Sequence, residues 1–303
     1  MDETAMARAR LGRLRHAIAR IEGRPAQTLG GTAGRAQHMP AGRICTGIAA
    51  FDESVGGGLQ RAALTELRSG QTRHGAHLLG FALCLASLAS SQDGRSQNER
   101  SNDKPLLWVS AESDAREAGL PYLPGIAGLT GLPPGRLLTA AARTIHDTLW
   151  IAEEAAASAA FSCLIIELRG NPKALGLDET RRLQRRAALS GQPVFLLRAA
   201  GEAEPTAAPC RLYVAPAPSV PRRTRDGPLA GSIGSPAFTV AIEKASAPSC
   251  PPFVLEWNPD ERHFAHRPAG QSPAHPQPRP AASGNGPDRP AALGPGMAHK
   301  RAS

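Results

Sequence analysis

Gly70 and Gly75 stand at the G-x-x-x-x-G spacing, in the stretch Gly70-Gln71-Thr72-Arg73-His74-Gly75-Ala76-His77. A loop of this kind between a strand and a helix turns its backbone N–H groups toward a phosphate. A following lysine reaches the terminal phosphates, and a Ser or Thr after it holds Mg²⁺. Here those two positions are Ala76 and His77, and no lysine occurs before Lys104. Phosphoryl transfer depends on positioning and charge stabilisation, and losing one group that stabilises transition-state charge costs ~3–4 kcal/mol. Arg73 carries positive charge, but from inside the loop, where its side chain need not reach a phosphate. The residues therefore predict a phosphate loop stripped of hydrolytic chemistry: not an enzyme, and holding no cofactor.

Other chemistry-bearing residues are few. Glu112 and Glu167 each follow an apolar run, and read either as vestiges of a catalytic site or as ordinary strand-end carboxylates. His74 and His77 have no Cys or carboxylate close in sequence, so no metal site is expected. Arg181, Arg182, Arg185 and Arg186 cluster on one candidate helix; they form a solvated face or a contact for DNA or an acidic partner. Arg222, Arg223 and Arg225, in a Pro-flanked loop, admit the same two readings.

The elements that must position these residues follow from periodicity. Leu11, Leu14, Ile18 and Ile21 recur at helical steps within 7–23, giving an arginine-rich helix with a narrow apolar seam. That seam packs on its own domain or docks on a partner. Residues 24–42 read as a linker. A strand over 62–67 precedes the glycine loop and an apolar helix over 76–90 follows it. The polar stretch 91–105 reads as an exposed loop, and 106–110 as a second strand. A helix over 144–160, a buried strand over 163–168, a helix over 178–190 and a strand over 193–197 come next. Three further strands, 211–214, 238–243 and 253–257, lack intervening helices. From 266 the chain is Pro, Ala, Gly and His without periodicity, which predicts a disordered tail. The order predicts an α/β core over 43–265 with a mostly parallel sheet.

Composition limits the partners. The 303 residues carry a formal charge of +9, and arginine supplies nearly all the basic groups. Such a surplus suits nucleic acid or an acidic protein and says nothing about fold. The five cysteines (Cys45, Cys84, Cys163, Cys210 and Cys250) are dispersed, as expected for reduced thiols in the cytoplasm. No secretory leader or membrane span is expected.

The residues before the loop carry a more specific signal. Ile44-Cys45-Thr46-Gly47-Ile48-Ala49-Ala50-Phe51-Asp52, then Gly56-Gly57-Gly58-Leu59-Gln60-Arg61, resembles the entry to the ATPase core of RecA and its relatives, with Ala62 where that family usually has glycine. In order after it, Trp108 to Glu112 resembles the strand ending in the catalytic glutamate, and Leu164 to Glu167 resembles the Walker B strand. Phe238 to Pro248 is similar to the late strand and turn whose basic residue, Lys244 here, reaches a neighbouring subunit's nucleotide. Leu14 to Gly23 and the late Leu255-Glu256-Trp257 further resemble the inducible-mutagenesis protein A (ImuA) family, RecA-like proteins with degraded nucleotide motifs. That resemblance implies a non-catalytic accessory of SOS mutagenesis, partnered by RecA, an ImuB-like Y-family polymerase homologue and an error-prone polymerase in translesion DNA synthesis, and leaves open whether DNA is touched directly or through those partners. A divergent RecA-type ATPase or recombinase, and a SulA-like cell-division inhibitor, are the alternatives. The loop 198–210, acidic at Glu202 and Glu204, is shorter than the DNA-contacting loop of filament-forming relatives and is expected to repel phosphate.

Overall fold

The computed structural model describes residues 42–92, 104–119, 121–221, 223–224, 227–229, 232–246 and 250–267. The seam residues Leu11, Leu14, Ile18 and Ile21, the linker up to residue 41, most of the 91–105 loop, Arg222, Arg225 and the tail beyond Arg267 lie outside them.

β1 (Arg43–Ile44) and β2 (Leu59–Gln60) pair antiparallel and enclose α1 (Ala49–Ser54). β3 (Leu64–Ser69) leads through a 3₁₀ turn at Thr72–His74 into α2 (Gly75–Ser91). β4 (Leu106–Ala111), α3 (Glu112–Ala118), α4 (Leu123–Thr130) and β5 (Leu137–Ala142) follow. Then come α5 (Ile145–Ser158), β6 (Cys163–Arg169), α6 (Leu177–Ser190), β7 (Val194–Ala199) and β8 (Cys210–Pro216). β9 (Arg223–Thr224) and β10 (Gly227–Pro228) pair only with each other, whereas β11 (Ala237–Lys244), β12 (Phe253–Asn258) and β13 (His263–Arg267) extend the main sheet.

That sheet has nine strands in the order β13-β12-β11-β8-β3-β7-β6-β4-β5. The six strands from β8 to β5 run parallel, and β11 to β13 are antiparallel. The expected α/β class with a mostly parallel sheet is what the chain adopts. β3 lies in the middle: the connection leaving it runs three places toward β5, whereas that leaving its neighbour β8 runs the opposite way to β11, so a switch point lies between these two strands. In open α/β sheets, ligand crevices form outside the carboxyl ends of strands at such a switch point.

Alternation along each strand sends side chains to two cores. Leu67, Ile165, Leu197 and Leu212 join Phe81, Leu85 and Leu88 of α2 on one face. Leu64, Ile166 and Leu196 join Leu149 and Ala152 of α5 and Leu183 and Ala187 of α6 on the other. Each large aliphatic buried this way contributes roughly 1.5–3 kcal/mol. By length and composition α2, with its 3₁₀ start at Thr72, could cross a membrane; half of it is buried inside the fold.

Several boundaries differ from expectation. β3 starts at Leu64, not at 62, because Arg61 N–H is bonded back to Gly42 O beside the β1–β2 pair. β13 carries the core to Arg267, so the expected tail boundary at 266 falls inside a strand; Phe264 is buried in the α2-side core, and Arg267 is anchored to Pro218 O and Glu256. Arg223, read as part of an irregular basic loop, belongs to the small β9–β10 pair.

Candidate functional site

The glycine loop lies at the carboxyl end of β3, as its spacing predicts, but it is not an open cradle. Thr72–His74 coil as one 3₁₀ turn that runs into α2, and the N–H of His74 is bonded to the carbonyl of Gln71 (3.0 Å). Arg73 turns back on the loop and donates from Nε to Gln71 Oε1 at 2.5 Å. Gly75 has ordinary helical φ and ψ (−55°, −44°) as the first residue of α2. A Cβ at Gly70 would stand 2.9 Å from the Tyr213 hydroxyl, so a side chain there would have to push the end of that ring aside. Gln71, Thr72, Ala76 and His77 are exposed, while His74 buries Nδ1 with no partner among the described residues. Partial loss of solvent at the ring, then neighbouring His74, holds the imidazole of His77 below its usual pKa. Among the described residues, no group of three or more His, Cys, Asp or Glu could hold a metal ion.

The two acidic positions fare differently. β4 ends at Ala111, and Glu112 is the first residue of α3, where it pairs with Arg116 at 2.7 Å and is 43% exposed. The strand-end carboxylate expected there is therefore a helix-start carboxylate, favoured by the dipole of the first turn. Glu167 does lie on β6, in register with Ser110 of β4, and alternation with Ile165 sends it to the α2 face. Burial pushes its pKa up; the Trp108 indole lowers it, nearby Asp114 raises it and Arg169 lowers it. An acid whose folded pKa is raised contributes fully below its unfolded pKa, and that contribution is lost as pH rises through the folded value. Glu167→Gln should accordingly raise Tm at pH 7 and leave it unchanged near pH ~3, where both side chains are neutral. Thermal unfolding at the two pH values checks this, and an unchanged Tm at neutral pH counts against it.

The glycine-rich entry stretch, Ile44 to Arg61, is a self-contained bracket. The Asp52 carboxylate accepts from Thr46 N–H (2.9 Å), Thr46 Oγ1 (2.9 Å) and Gly47 N–H (3.1 Å). The Asp52 carbonyl accepts from the N–H groups of Gly57 (2.7 Å) and Gly58 (2.9 Å). At Gly58, with φ +105°, a Cβ would stand 2.9 Å from the backbone carbonyl oxygen of Ile44, so only glycine fits. This motif builds the floor before β3 and leaves its polar groups mutually satisfied.

A charge cluster that sequence reading missed lies on the α5/α6 face. Glu66, in the middle of β3, is fully buried and faces Arg198 of β7 (3.4 Å) and Arg211 of β8 (3.3 Å). Residues 200–209 cross this face of β3 from β7 to β8 without a helix, so their carbonyls need donors from elsewhere. Arg68 Nη1 reaches Gly201 O (3.0 Å), Arg211 Nη2 reaches Glu204 O, and Lys244 Nζ reaches Thr206 O (2.8 Å). Arg68 also pairs with Glu243, from Nε at 2.6 Å, and stacks over Tyr213. Lys244, expected to reach across to another subunit, is bound within its own chain. The acid of the crossover, expected to repel phosphate, is likewise engaged: Glu204 pairs with Arg198 Nη2 at 2.6 Å. A strand-borne Glu amid apolar residues is the one local signal that a buried counter-ion was required.

The α6 basic cluster is largely neutralised. Arg181 pairs with Asp178, Arg182 with Glu153 and Glu179, and Arg186 with Glu153 and Glu154. Arg185 is exposed on the same helix. Comparison with protein-family models and with curated proteins finds no significant match to this chain.

Proposed function

We propose that this chain is a non-catalytic, RecA-like accessory protein of damage-induced mutagenesis. In this reading it brings RecA, an ImuB-like Y-family polymerase homologue and an error-prone polymerase together for translesion synthesis. One observation carries the reading: a strand–loop–helix unit stands at the switch point of the sheet, while the loop is closed as a 3₁₀ turn and has neither lysine nor metal-ligating hydroxyl after Gly75. A scaffold of this kind without its chemistry is kept for its surfaces. Arg73, the one cation within the loop that a divergent ATPase would use, is spent on Gln71. The pairing of α6 arginines with acids of α5 and α6 also fits contact with DNA through partners more than by direct phosphate neutralisation.

The test has two arms on the full chain. Purified protein should show no ATP turnover above a no-protein control, and tagged protein should retain RecA and the Y-family-like subunit in a pull-down. Turnover at the rate of a working RecA-type enzyme, or recovery of a tubulin-like division protein with no polymerase subunit, would replace this reading.

A further inference from the structure

The crossover 200–209 covers two arginines whose charge the buried part of the protein does not balance. Among Glu66, Arg198 and Arg211, all but fully buried, there is one negative charge and there are two positive ones. The missing negative charge is Glu204, on the crossover itself and 43% exposed. The distances rank the contacts. Arg198 meets Glu66 at 3.4 Å but Glu204 at 2.6 Å, so its shortest contact is to the solvent-facing loop carboxylate. Arg198 Nε is buried with no hydrogen-bond acceptor among the described residues, leaving one edge of its fork unused. The Arg211 guanidinium, beside it, donates to the Glu204 carbonyl. Paired guanidinium forks with spare donors are the chemistry of oxyanion recognition.

We propose that Arg198 and Arg211 form an oxyanion site of the phosphoryl class, whose Arg198 half the Glu204 carboxylate occupies in this structure as an internal ligand while Arg211 holds the carbonyl of the same residue. A phosphate group entering from solvent exchanges with Glu204, takes both guanidiniums, and frees the crossover from its one side-chain ion pair to Arg198. The remaining anchors include the three cation-to-carbonyl contacts, the Asn171 side chain, which accepts from Glu202 N–H at 2.7 Å and donates to Glu202 O at 3.3 Å, and the Thr180 hydroxyl, which accepts from Ala207 N–H at 3.1 Å. None of these supplies negative charge to Arg198, so the exchange swaps one anion for another and leaves the buried charge balanced. The site is separate from the glycine loop and stands whether or not the adaptor reading holds.

Glu204→Gln removes the competing charge with nearly unchanged shape. The full-length variant should bind inorganic phosphate ~10-fold tighter than the wild-type chain, because the internal ligand no longer taxes the site. Calorimetric titration against chloride of matched ionic strength reads this. In the wild-type chain, phosphate should raise amide hydrogen exchange within 200–209 and leave α2 unchanged. Arg198→Lys in the Glu204→Gln background keeps the charge, loses the fork, and should return the affinity toward wild type. A single-stranded oligonucleotide without terminal phosphates, titrated in parallel, separates the sources. Competition with inorganic phosphate assigns the site to a nucleic-acid backbone, and its failure assigns it to free phosphate or phosphomonoesters. Equal phosphate affinity in wild type and Glu204→Gln, or no binding in either, overturns the proposal.

Discussion

Replacing Glu66 by alanine should destabilise the folded domain by about 3–5 kcal/mol, the usual cost of stranding a buried charge by removing its partner. Glu66 has no exposed surface, and both its guanidinium neighbours lie within 3.4 Å. Without it Arg198 and Arg211 face each other across β3, with only half-exposed Glu204 as counter-ion. Water cannot readily replace the carboxylate, because Leu64, Leu196 and Ala208 pack the same face. Glu66→Gln separates the causes. It keeps the volume and two polar atoms, so a comparable loss locates the effect in charge, and a much smaller loss locates it in packing. Replacing all three residues by apolar ones of similar volume (Glu66→Leu with Arg198→Met and Arg211→Leu) should be neutral or stabilising by ~1–4 kcal/mol, since the desolvation of three ions is then avoided. Urea unfolding of the four proteins gives the comparison. A cost below about 1 kcal/mol for Glu66→Ala would mean the cluster is far better hydrated than its burial implies.

That cluster also marks where sequence reading stops. β6 was legible from 163–168 because a parallel strand buried on both faces is a continuous apolar run. α5 was legible from its apolar spacing, and Thr144, at the predicted start, caps it by accepting from Asp147 N–H at 3.1 Å. By contrast Glu66, Arg198 and Arg211 become neighbours only when β7 and β8 flank β3, a juxtaposition spread over nearly half the chain. Local pattern holds only the strand-borne acid, and nothing of which arginines meet it. The stretch holding α3, α4 and β5 was missed for another reason. α4 reads LPGIAGLT, and its two glycines and proline lower helix propensity. Pro124 is tolerated because it lies in the first turn, where its missing N–H has no partner to lose, and Gly131 ends the helix in the left-handed region. β5, LLTAAA, is an edge strand with little apolar alternation. In the candidate site the position of the loop was readable from glycine spacing, whereas its closure as a 3₁₀ turn was not. The arginines of α6 were readable as a cluster. Their i,i+3 partners Asp178 and Glu179 were visible in sequence, but Glu153 and Glu154 come from the packed neighbour helix.

Trp257→Ala should cost about 3–5 kcal/mol, the range for deleting a fully buried large aromatic. Its ring meets Phe264 edge-on at 4.9 Å, and Phe264 in turn meets Phe81 of α2 at 5.5 Å and Phe238 of β11 at 6.4 Å. Its indole N–H donates to Leu129 O at 2.7 Å, tying β12 to α4. One side chain thus joins the antiparallel strands to a helix at the far side of the α2 core. Trp257→Phe retains most of the ring stack and loses the donor, so it should fall between wild type and alanine, with the Leu129 carbonyl's lost partner worth ~1–3 kcal/mol. The consequence reaches the charge cluster, because Glu243 and Lys244 at the end of β11 hold Arg68 and Thr206 O respectively. In Trp257→Ala, amide exchange should therefore rise first in β12 and β13 and then in 200–209, ahead of β6 and β7 at the centre of the sheet. Uniform loss of protection across all nine strands would instead mean that the antiparallel extension and the parallel core unfold as one cooperative unit.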